Sequence, residues 1–178
     1  MNLRAALGAL GIGAVLTACA SAPPTIPPVD SVDLPRFMGD WYVIAHIPSR
    51  PERDAYDAVE SYRLGEDGRI RTTFRQRKGG FDAPVDTMHP VATVVEGTGN
   101  AVWGMQFVWP IRAEYVIVDL APDYSRTIIG RSKRDYVWLM ARTPALPEAE
   151  LQAAIARIGA LGYDTGKLRM VPQSAAAR

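Results

Sequence analysis

Cysteine and histidine are scarce in this chain, and their scarcity excludes several kinds of site. Among its 178 residues there is one cysteine, Cys19, so no disulfide can form within the chain. The two histidines, His46 and His89, are far apart in sequence and lack the spacing of a metal-binding pair. We therefore predict that the protein uses neither a metal nor any other cofactor.

Catalytic sequence motifs are missing as well. The chain has no Gly-x-Ser-x-Gly nucleophile turn, no glycine-rich phosphate loop and no His-Glu-x-x-His zinc motif. The net charge is +1, which gives no reason to expect a nucleic acid as partner. A content of 48% hydrophobic and 22% charged residues is ordinary for one globular domain. We predict a protein that is not an enzyme.

The N-terminus has the pattern of a secretory signal. Arg4 forms a short positive region, residues 5–15 are apolar, and residues 16–18 precede Cys19. The apolar stretch is too short to span a membrane. Its end resembles the lipobox of bacterial lipoproteins, which implies that Cys19 is lipidated and becomes the first residue of the mature chain. Because Ala20 stands where an aspartate would retain such a lipoprotein in the inner membrane, the resemblance implies the outer membrane, with the protein facing the periplasm.

These signals divide the chain into four segments. We predict a signal peptide at 1–18, a lipidated cysteine and proline-rich tether at 19–36, one folded domain at 37–172 and a disordered tail at 173–178. The prolines of the second segment favour an extended backbone. Such a tether would hold the domain away from the bilayer.

Short alternating runs separated by turn residues follow the tether. The Asp67-Gly68 pair is a strong hairpin signal, and similar turn residues close the other runs. No helical pattern interrupts the runs, which indicates an all-β sandwich or barrel. We predict eight strands, at 41–47, 58–64, 69–78, 90–96, 101–109, 115–120, 126–131 and 136–142.

The pattern changes after the eighth strand. Pro147 can occupy the first position of a helix, and Leu151, Ile155 and Ile158 recur at helical spacing. A single amphipathic helix beside a barrel must pack its apolar stripe against the outer wall. A short ninth strand is predicted at 167–171.

This order of elements resembles the lipocalin family, an antiparallel up-and-down barrel of eight strands followed by one helix. The segment 39–42, Gly-Asp-Trp-Tyr, matches the first family motif, and 119–124 is similar to the second. Arg142 matches the arginine of the third motif. The segment 134–144 is most similar to the bacterial outer-membrane lipocalins, relatives of apolipoprotein D. The resemblance covers about residues 34–172.

The resemblance implies structural roles for the motif residues at one closed end of the barrel. Arg142 is expected to lie across Trp41 in a cation–π contact, near Gly39, Asp119 and Tyr124. The open mouth would then be formed by the connections at the opposite end. These are the loops at 48–57, 79–89, 110–114 and 132–135.

A barrel of eight strands has room for one small ligand, and alternate side chains of each strand point inward. Alternation leaves a solid core, or an outer face covered by the helix, as open alternatives to a cavity. The cavity interpretation predicts these lining residues: Tyr62, Phe74, Trp103, Met105, Phe107, Trp109, Tyr115, Trp138 and Met140. At the mouth we predict that Arg112 contacts a phosphate or carboxylate head group.

The resemblance implies a lipid-anchored protein that binds fatty acids or lysophospholipids for storage or transport during envelope maintenance. Binding would require no chemistry, since burial of the acyl chain supplies the affinity. The expected partners are the small lipid and, through the N-terminal anchor, the membrane; a homodimer is possible in the resembling group. Two alternatives stay open: a non-catalytic structural or assembly lipoprotein, and a lipocalin-fold enzyme.

Overall fold

The computed structural model describes residues 26–174. The predicted signal peptide and the lipidation of Cys19 lie outside the described residues. Strands form most of the described chain: β1 (Gly39–Ile47), β2 (Ala55–Leu64), β3 (Ile70–Lys78), β4 (Val85–Met88), β5 (Val91–Val94), β6 (Val102–Val108), β7 (Ile111–Leu120), β8 (Arg126–Gly130), β9 (Val137–Ala141) and β10 (Arg169–Met170). The helices are α1 (Leu34–Phe37) and α2 (Glu148–Ala160), with 3-10 turns at Arg50–Glu52 and Thr165–Lys167.

The sheet closes on itself because β1 pairs with β9 as well as with β2, and every pairing is antiparallel. β4 and β5 both pair with β3 and together occupy one strand position. β10 adds a short pairing to β1 beside the barrel. The predicted eight-stranded antiparallel barrel with a helix outside is therefore confirmed.

Three of the predicted mouth loops are partly strand, because β2 begins inside 48–57, β7 begins inside 110–114 and β4 lies inside 79–89. Gly79, Gly80 and Pro84 indicated a loop over 79–89, but β4 lies inside that range. Its backbone pairs with the outer half of β3, from Phe74 opposite Met88 onward. The turn signals Gly79, Gly80 and Pro84 belong to the connection between β3 and β4, and β4 begins directly after Pro84.

Aromatic rings fill one end of the barrel. The ring of Phe37 lies 4.9 Å from that of Trp41 and 5.4 Å from that of Trp103, and Trp103 stacks on Tyr115 at 5.0 Å. Trp41 and Trp103 are fully buried. Offset and edge-on ring contacts of this kind add to the stabilisation from burial. The closed end is therefore a packed core.

Helix α2 covers part of the outer wall, as its apolar spacing predicted. Ala154 and Ile158 are buried, and they belong to a second apolar cluster with outward-facing residues such as Val116 and Leu139. The helix has no side-chain cap at its N-terminus. Packing of its apolar face therefore dominates its stability.

The part of the predicted tether that the structure describes, residues 26–36, packs on the barrel. Ile26 and Val32 are buried, and the backbone amide of Val29 donates to the carbonyl of Ile117 at 2.9 Å. The tether prediction is wrong over 26–36, because the apolar residues between the prolines pack on the barrel. We call residues 26–33 the N-terminal strap.

Two residues predicted to belong to a disordered tail, Gln173 and Ser174, are bonded to the barrel. The side-chain amide of Gln173 is buried and donates to the carbonyls of Val43 at 2.8 Å and Ala58 at 3.1 Å. Ser174 donates its amide and hydroxyl hydrogens to Asp57. The rest of that prediction, 175–178, lies outside the described residues.

Neither helix of the described chain combines the length and the apolar character that a membrane span would need.

Candidate functional site

The closed end is held by the guanidinium of Arg142, which lies 3.8 Å from the centre of the Trp41 ring. Its Nη2 donates to the carbonyls of Arg36, Phe37 and Met38 at 2.8–3.1 Å, and its Nη1 donates to the carbonyl of Asp40 at 2.8 Å. One charged group thus satisfies four carbonyls around helix α1 and the start of β1. Arginine can do this because it carries five donors in a fixed plane.

The other motif residues fit around this contact. Gly39 has a φ of +97° and lies so close to Arg142 that an added Cβ would be 3.4 Å from Nη1. The hydroxyl of Tyr124 accepts a hydrogen bond from the amide of Asp33 at 2.8 Å. Asp119 instead binds Arg126 and Arg157, which connects β7 to β8 and to α2. All of these contacts are with other parts of the protein, so the motif residues have structural roles.

A cavity of about 250 Å³ lies inside the barrel on the side of the open mouth. Apolar and aromatic side chains form most of its wall, with a few polar groups among them. Its lining residues are Ser49, Pro51, Glu52, Glu60, Phe74, Met88, Pro90, Met105, Phe107, Ala113, Glu114, Tyr115, Arg131, Tyr136 and Trp138.

Among the residues predicted to line a cavity, Phe74, Met105, Phe107, Tyr115 and Trp138 do so. Tyr62, Trp103 and Met140 point inward but belong to the packed core below it. None of the three is among the lining residues, so their prediction is wrong, although the Tyr62 hydroxyl bonds to Glu60 and Tyr115 at the inner end of the cavity.

Two predicted residues lie away from the cavity. Trp109 is 82% exposed at the tip of the β6–β7 hairpin, because a register shift between Met105 and Val108 ends the regular alternation. Arg112 packs alongside Gly104, with its Cδ 3.3 Å from where a Cβ would stand. That face is the outer one, since the alternate residue Met105 points inward. The prediction of Arg112 as a head-group contact is therefore wrong.

The inner end of the cavity carries the carboxyl group of Glu60, which is half-buried. Glu60 accepts a hydrogen bond from the hydroxyl of Tyr62, which lies 2.6 Å from the hydroxyl of Tyr115. Burial, with a smaller contribution from the charge of Glu52, raises the pKa of Glu60 from 4.5 to about 8. Burial and the neighbouring Glu60 also raise the pKa of Tyr115. At neutral pH this end is therefore largely uncharged.

A second carboxylate lies buried under the first mouth loop. Glu52 accepts hydrogen bonds from Trp138 Nε1 at 2.7 Å and from the hydroxyl of Ser49 at 2.9 Å. His46 Nδ1 lies 3.7 Å from the same carboxylate. The 3-10 turn that carries Glu52 is thereby tied to β9, and the indole of Trp138 is held in its orientation against the cavity.

The arginine that lines the cavity is Arg131, at the end of β8. Its guanidinium pairs with Asp135 at 3.2 Å and lies 5.2 Å from the ring centre of Tyr136. Nearby, Glu114 accepts hydrogen bonds from the amide and hydroxyl of Ser132 at 2.6 and 2.7 Å. The mouth therefore contains paired polar groups, whereas the buried Nε of Arg131 has no hydrogen-bond partner within residues 26–174.

One cavity residue that was not among the predicted site residues, Glu60, is nevertheless indicated by the sequence. Glu60 lies two residues before Tyr62 in β2, so alternation alone places it inward. Glu52 and Arg131 gave no such signal, since one lies on a loop turn and the other at a strand end. Their place at the cavity depends on how the loops fold.

Comparisons with known proteins agree with this architecture. A family model described as a lipocalin-like domain matches residues 32–173. The chain is 28% identical to temperature-induced lipocalin-1 of Arabidopsis thaliana, over 82% of both chains. It is 27% identical to outer membrane lipoprotein Blc of Vibrio cholerae, over 89% of this chain and 93% of the relative. Among solved structures, insecticyanin of Manduca sexta has the same fold, with a TM-score of 0.66 at 17% identity over 85% of this chain and 86% of that one.

Proposed function

This chain belongs to the lipocalin family, and on that premise we propose that it binds a fatty acid or a lysophospholipid in its cavity, without catalysis, for storage or transport in a bacterial envelope. We propose further that it is anchored through Cys19 to the outer membrane, on the periplasmic face. The bacterial relative named outer membrane lipoprotein supports this location. The observation that carries the proposal is the largely apolar cavity beside a tightly packed closed end.

The size of the cavity favours a ligand with one hydrocarbon chain. Its volume of about 250 Å³ is just below the roughly 300–1,000 Å³ of sites for drug-sized molecules. Phe74, Met88, Met105 and Phe107 supply apolar contacts, and methionine adapts well to flexible chains. Burial of such a chain contributes about 25 cal/mol per Å² of apolar surface, less the cost of ordering it.

The tip of the β6–β7 hairpin supports a membrane source for the ligand. Val108, Trp109 and Ile111 are 68%, 82% and 71% exposed, and they follow the cavity residue Phe107. An exposed apolar patch with a tryptophan is typical of a surface that meets a lipid interface. A lipid leaving the bilayer at this tip would enter the cavity directly.

The N-terminal strap is compatible with the same orientation. It runs along the barrel from the closed end, where Val32 bonds to Gly99, to Ile26, which lies against Gly130 and Val118. Ile26 follows Cys19 by seven positions in the sequence, a reach of at most about 25 Å. That reach allows an anchor at Cys19 to hold the mouth near the bilayer.

A cavity-blocking variant tests the function. Ala113 lines the cavity and is half-buried, so Ala113→Trp should fill the space without unfolding the barrel. Native mass spectrometry should detect lysophospholipid uptake at micromolar concentration by the unaltered protein, and uptake weakened about tenfold or more in this variant. Ala153→Trp, on the exposed face of α2, is the matched control and should bind normally.

Two results would contradict the proposal. Uptake by Ala113→Trp equal to that of the unaltered protein would place the ligand elsewhere. No uptake of any acyl ligand would favour a structural or assembly lipoprotein, and turnover of a lipid would favour an enzyme.

A further inference from the structure

The inner end of the cavity is polar, although most of the wall is apolar. Glu60 and Tyr115 both line it, and the Tyr62 hydroxyl lies between them, within hydrogen-bonding distance of both. Tyr62 and Tyr115 also contact the ring of Trp103, so this end adjoins the packed core. If the terminal methyl group of an acyl chain lay at this end, it would cover these polar groups and offer them no hydrogen bond, which is unfavourable.

The charged groups around the cavity are mostly acidic. Glu52, Glu60 and Glu114 line it together with one arginine, Arg131, which already pairs with Asp135 at 3.2 Å. At the inner end such a wall favours a cation over an anion, since like charges in a poorly solvated site repel strongly.

Glu60 is the acid best placed to receive a ligand. Both oxygens of Glu52 and both of Glu114 accept hydrogen bonds from protein groups. For Glu60, the bonds found within residues 26–174 involve one oxygen, which accepts from Tyr62. A donor entering the cavity can therefore bind Glu60 without breaking an existing contact.

Aromatic walls surround the same space. Phe74, Tyr115 and Trp138 line the cavity with Glu60, and the faces of such rings attract ammonium groups. We propose that the inner end of the cavity is a subsite for a protonated amine at the polar end of a single-chain amphiphile. The ligand enters amine first, and its hydrocarbon tail extends toward the mouth. This inference rests on the proposed function, because it requires that the cavity accept an amphiphile.

Binding of the amine is coupled to release of a proton. With a pKa of about 8, the Glu60 carboxyl is largely protonated at pH 7. The ammonium stabilises the carboxylate, so the carboxyl proton passes to solvent and the bound pair is ammonium and carboxylate. The titratable groups that surround Glu60 are Glu52, Tyr62, Glu114, Tyr115, Arg131 and Tyr136.

Three ligands with the same tail provide the test. Dodecylamine, dodecanol and dodecanoate are titrated into the purified protein, freed of copurified lipid, by calorimetry at pH 6, 7 and 8. At pH 8 we expect the amine to bind about tenfold or more tightly than the other two. Its affinity should rise between pH 6 and pH 8 by up to about tenfold per unit, with proton release visible as buffer-dependent heat.

A matched pair of variants tests whether Glu60 causes the preference for the amine. Glu60→Gln keeps the size of the side chain and removes its ionisation, so the amine should lose its advantage while dodecanol binds as before. Glu66→Gln, on an exposed turn beyond the other end of β2, is the control and should retain the preference.

The possible failures are distinguishable. Dodecanoate binding as tightly as the amine, an amine affinity independent of pH, or a preference that survives Glu60→Gln would overturn the amine subsite and leave acyl-chain binding intact. Binding of none of the three ligands would overturn the subsite and the proposed function together.

Discussion

Glu60→Gln should change how the stability of the protein depends on pH, even without ligand. The carboxyl of Glu60 has a pKa of about 8 in the folded protein and an ordinary value of 4.5 when unfolded. Between these pH values the folded state binds the proton more tightly than the unfolded state does. The stabilisation from this proton is complete below about pH 4.5 and is lost as the pH rises through about 8.

The size of the effect follows from the difference between the two pKa values. At about 1.4 kcal/mol per pH unit, the full range corresponds to on the order of 5 kcal/mol. This is an upper limit, because Glu60 faces a cavity that water can enter and that reduces the cost of its charge. Between pH 5.5 and 7.5 we expect the unaltered protein to lose about 1–3 kcal/mol of unfolding free energy relative to Glu60→Gln.

Urea unfolding followed by circular dichroism at pH 5.5, 6.5 and 7.5 measures this difference. The variant should be less dependent on pH and relatively more stable at the highest value. For Glu66→Gln, on an exposed turn, the unfolding free energy should depend on pH as it does for the unaltered protein. If the unfolding free energy of Glu60→Gln had the same pH dependence as that of the unaltered protein, Glu60 could not be a carboxyl group that is protonated at neutral pH.

Three further predictions concern the closed end and the hairpin tip. Arg142→Met removes the donors to four carbonyls near α1 and the contact with the indole. It should lower the urea unfolding free energy by about 3 kcal/mol or more. As a control, Arg112→Met replaces an exposed arginine and should change the unfolding free energy by less than about 0.5 kcal/mol. Gly39→Ala forces a side chain into a positive φ and should cost about 1–2 kcal/mol in thermal unfolding, whereas Gly80→Ala, in open space, should cost little. Trp109→Ser should reduce sedimentation with phospholipid vesicles at least about twofold and leave unfolding unchanged; undiminished sedimentation would argue against lipid contact at the tip.

Strand alternation predicted the cavity well where the sheet is regular. Met105 in β6 and Tyr115 in β7 line the cavity on the inward parity. The register shift after Met105 interrupts the alternation in β6, so parity does not decide the positions of Phe107, which lines the cavity, and Trp109, which does not. A shift of this kind depends on the pairing between strands, and the sequence of one strand does not reveal it.

The ends of the domain show a related limit. The prolines before residue 36 predict an extended tether, but Pro35 lies in α1, Ile26 packs in the outer apolar cluster and Val32 packs in the core of the closed end. Its position in the sequence predicts Gln173 in a polar tail, but in the fold its side chain donates to the carbonyls of Val43 and Ala58. Local composition indicates the conformation of a segment and leaves its partner undetermined.

The sequence by itself determined the barrel, the outer helix and the residues of the closed end, because hydrophobic periodicity, turn residues and the motif around Trp41 and Arg142 are local patterns. The tertiary structure alone decided how far the aromatic core extends and what space is left above it. It also brought Glu52, Glu60 and Arg131 to the same cavity from a loop turn, a strand and a strand end. The raised pKa of Glu60 exists because of that assembly, since desolvation and the charge of Glu52 act through space and not along the chain.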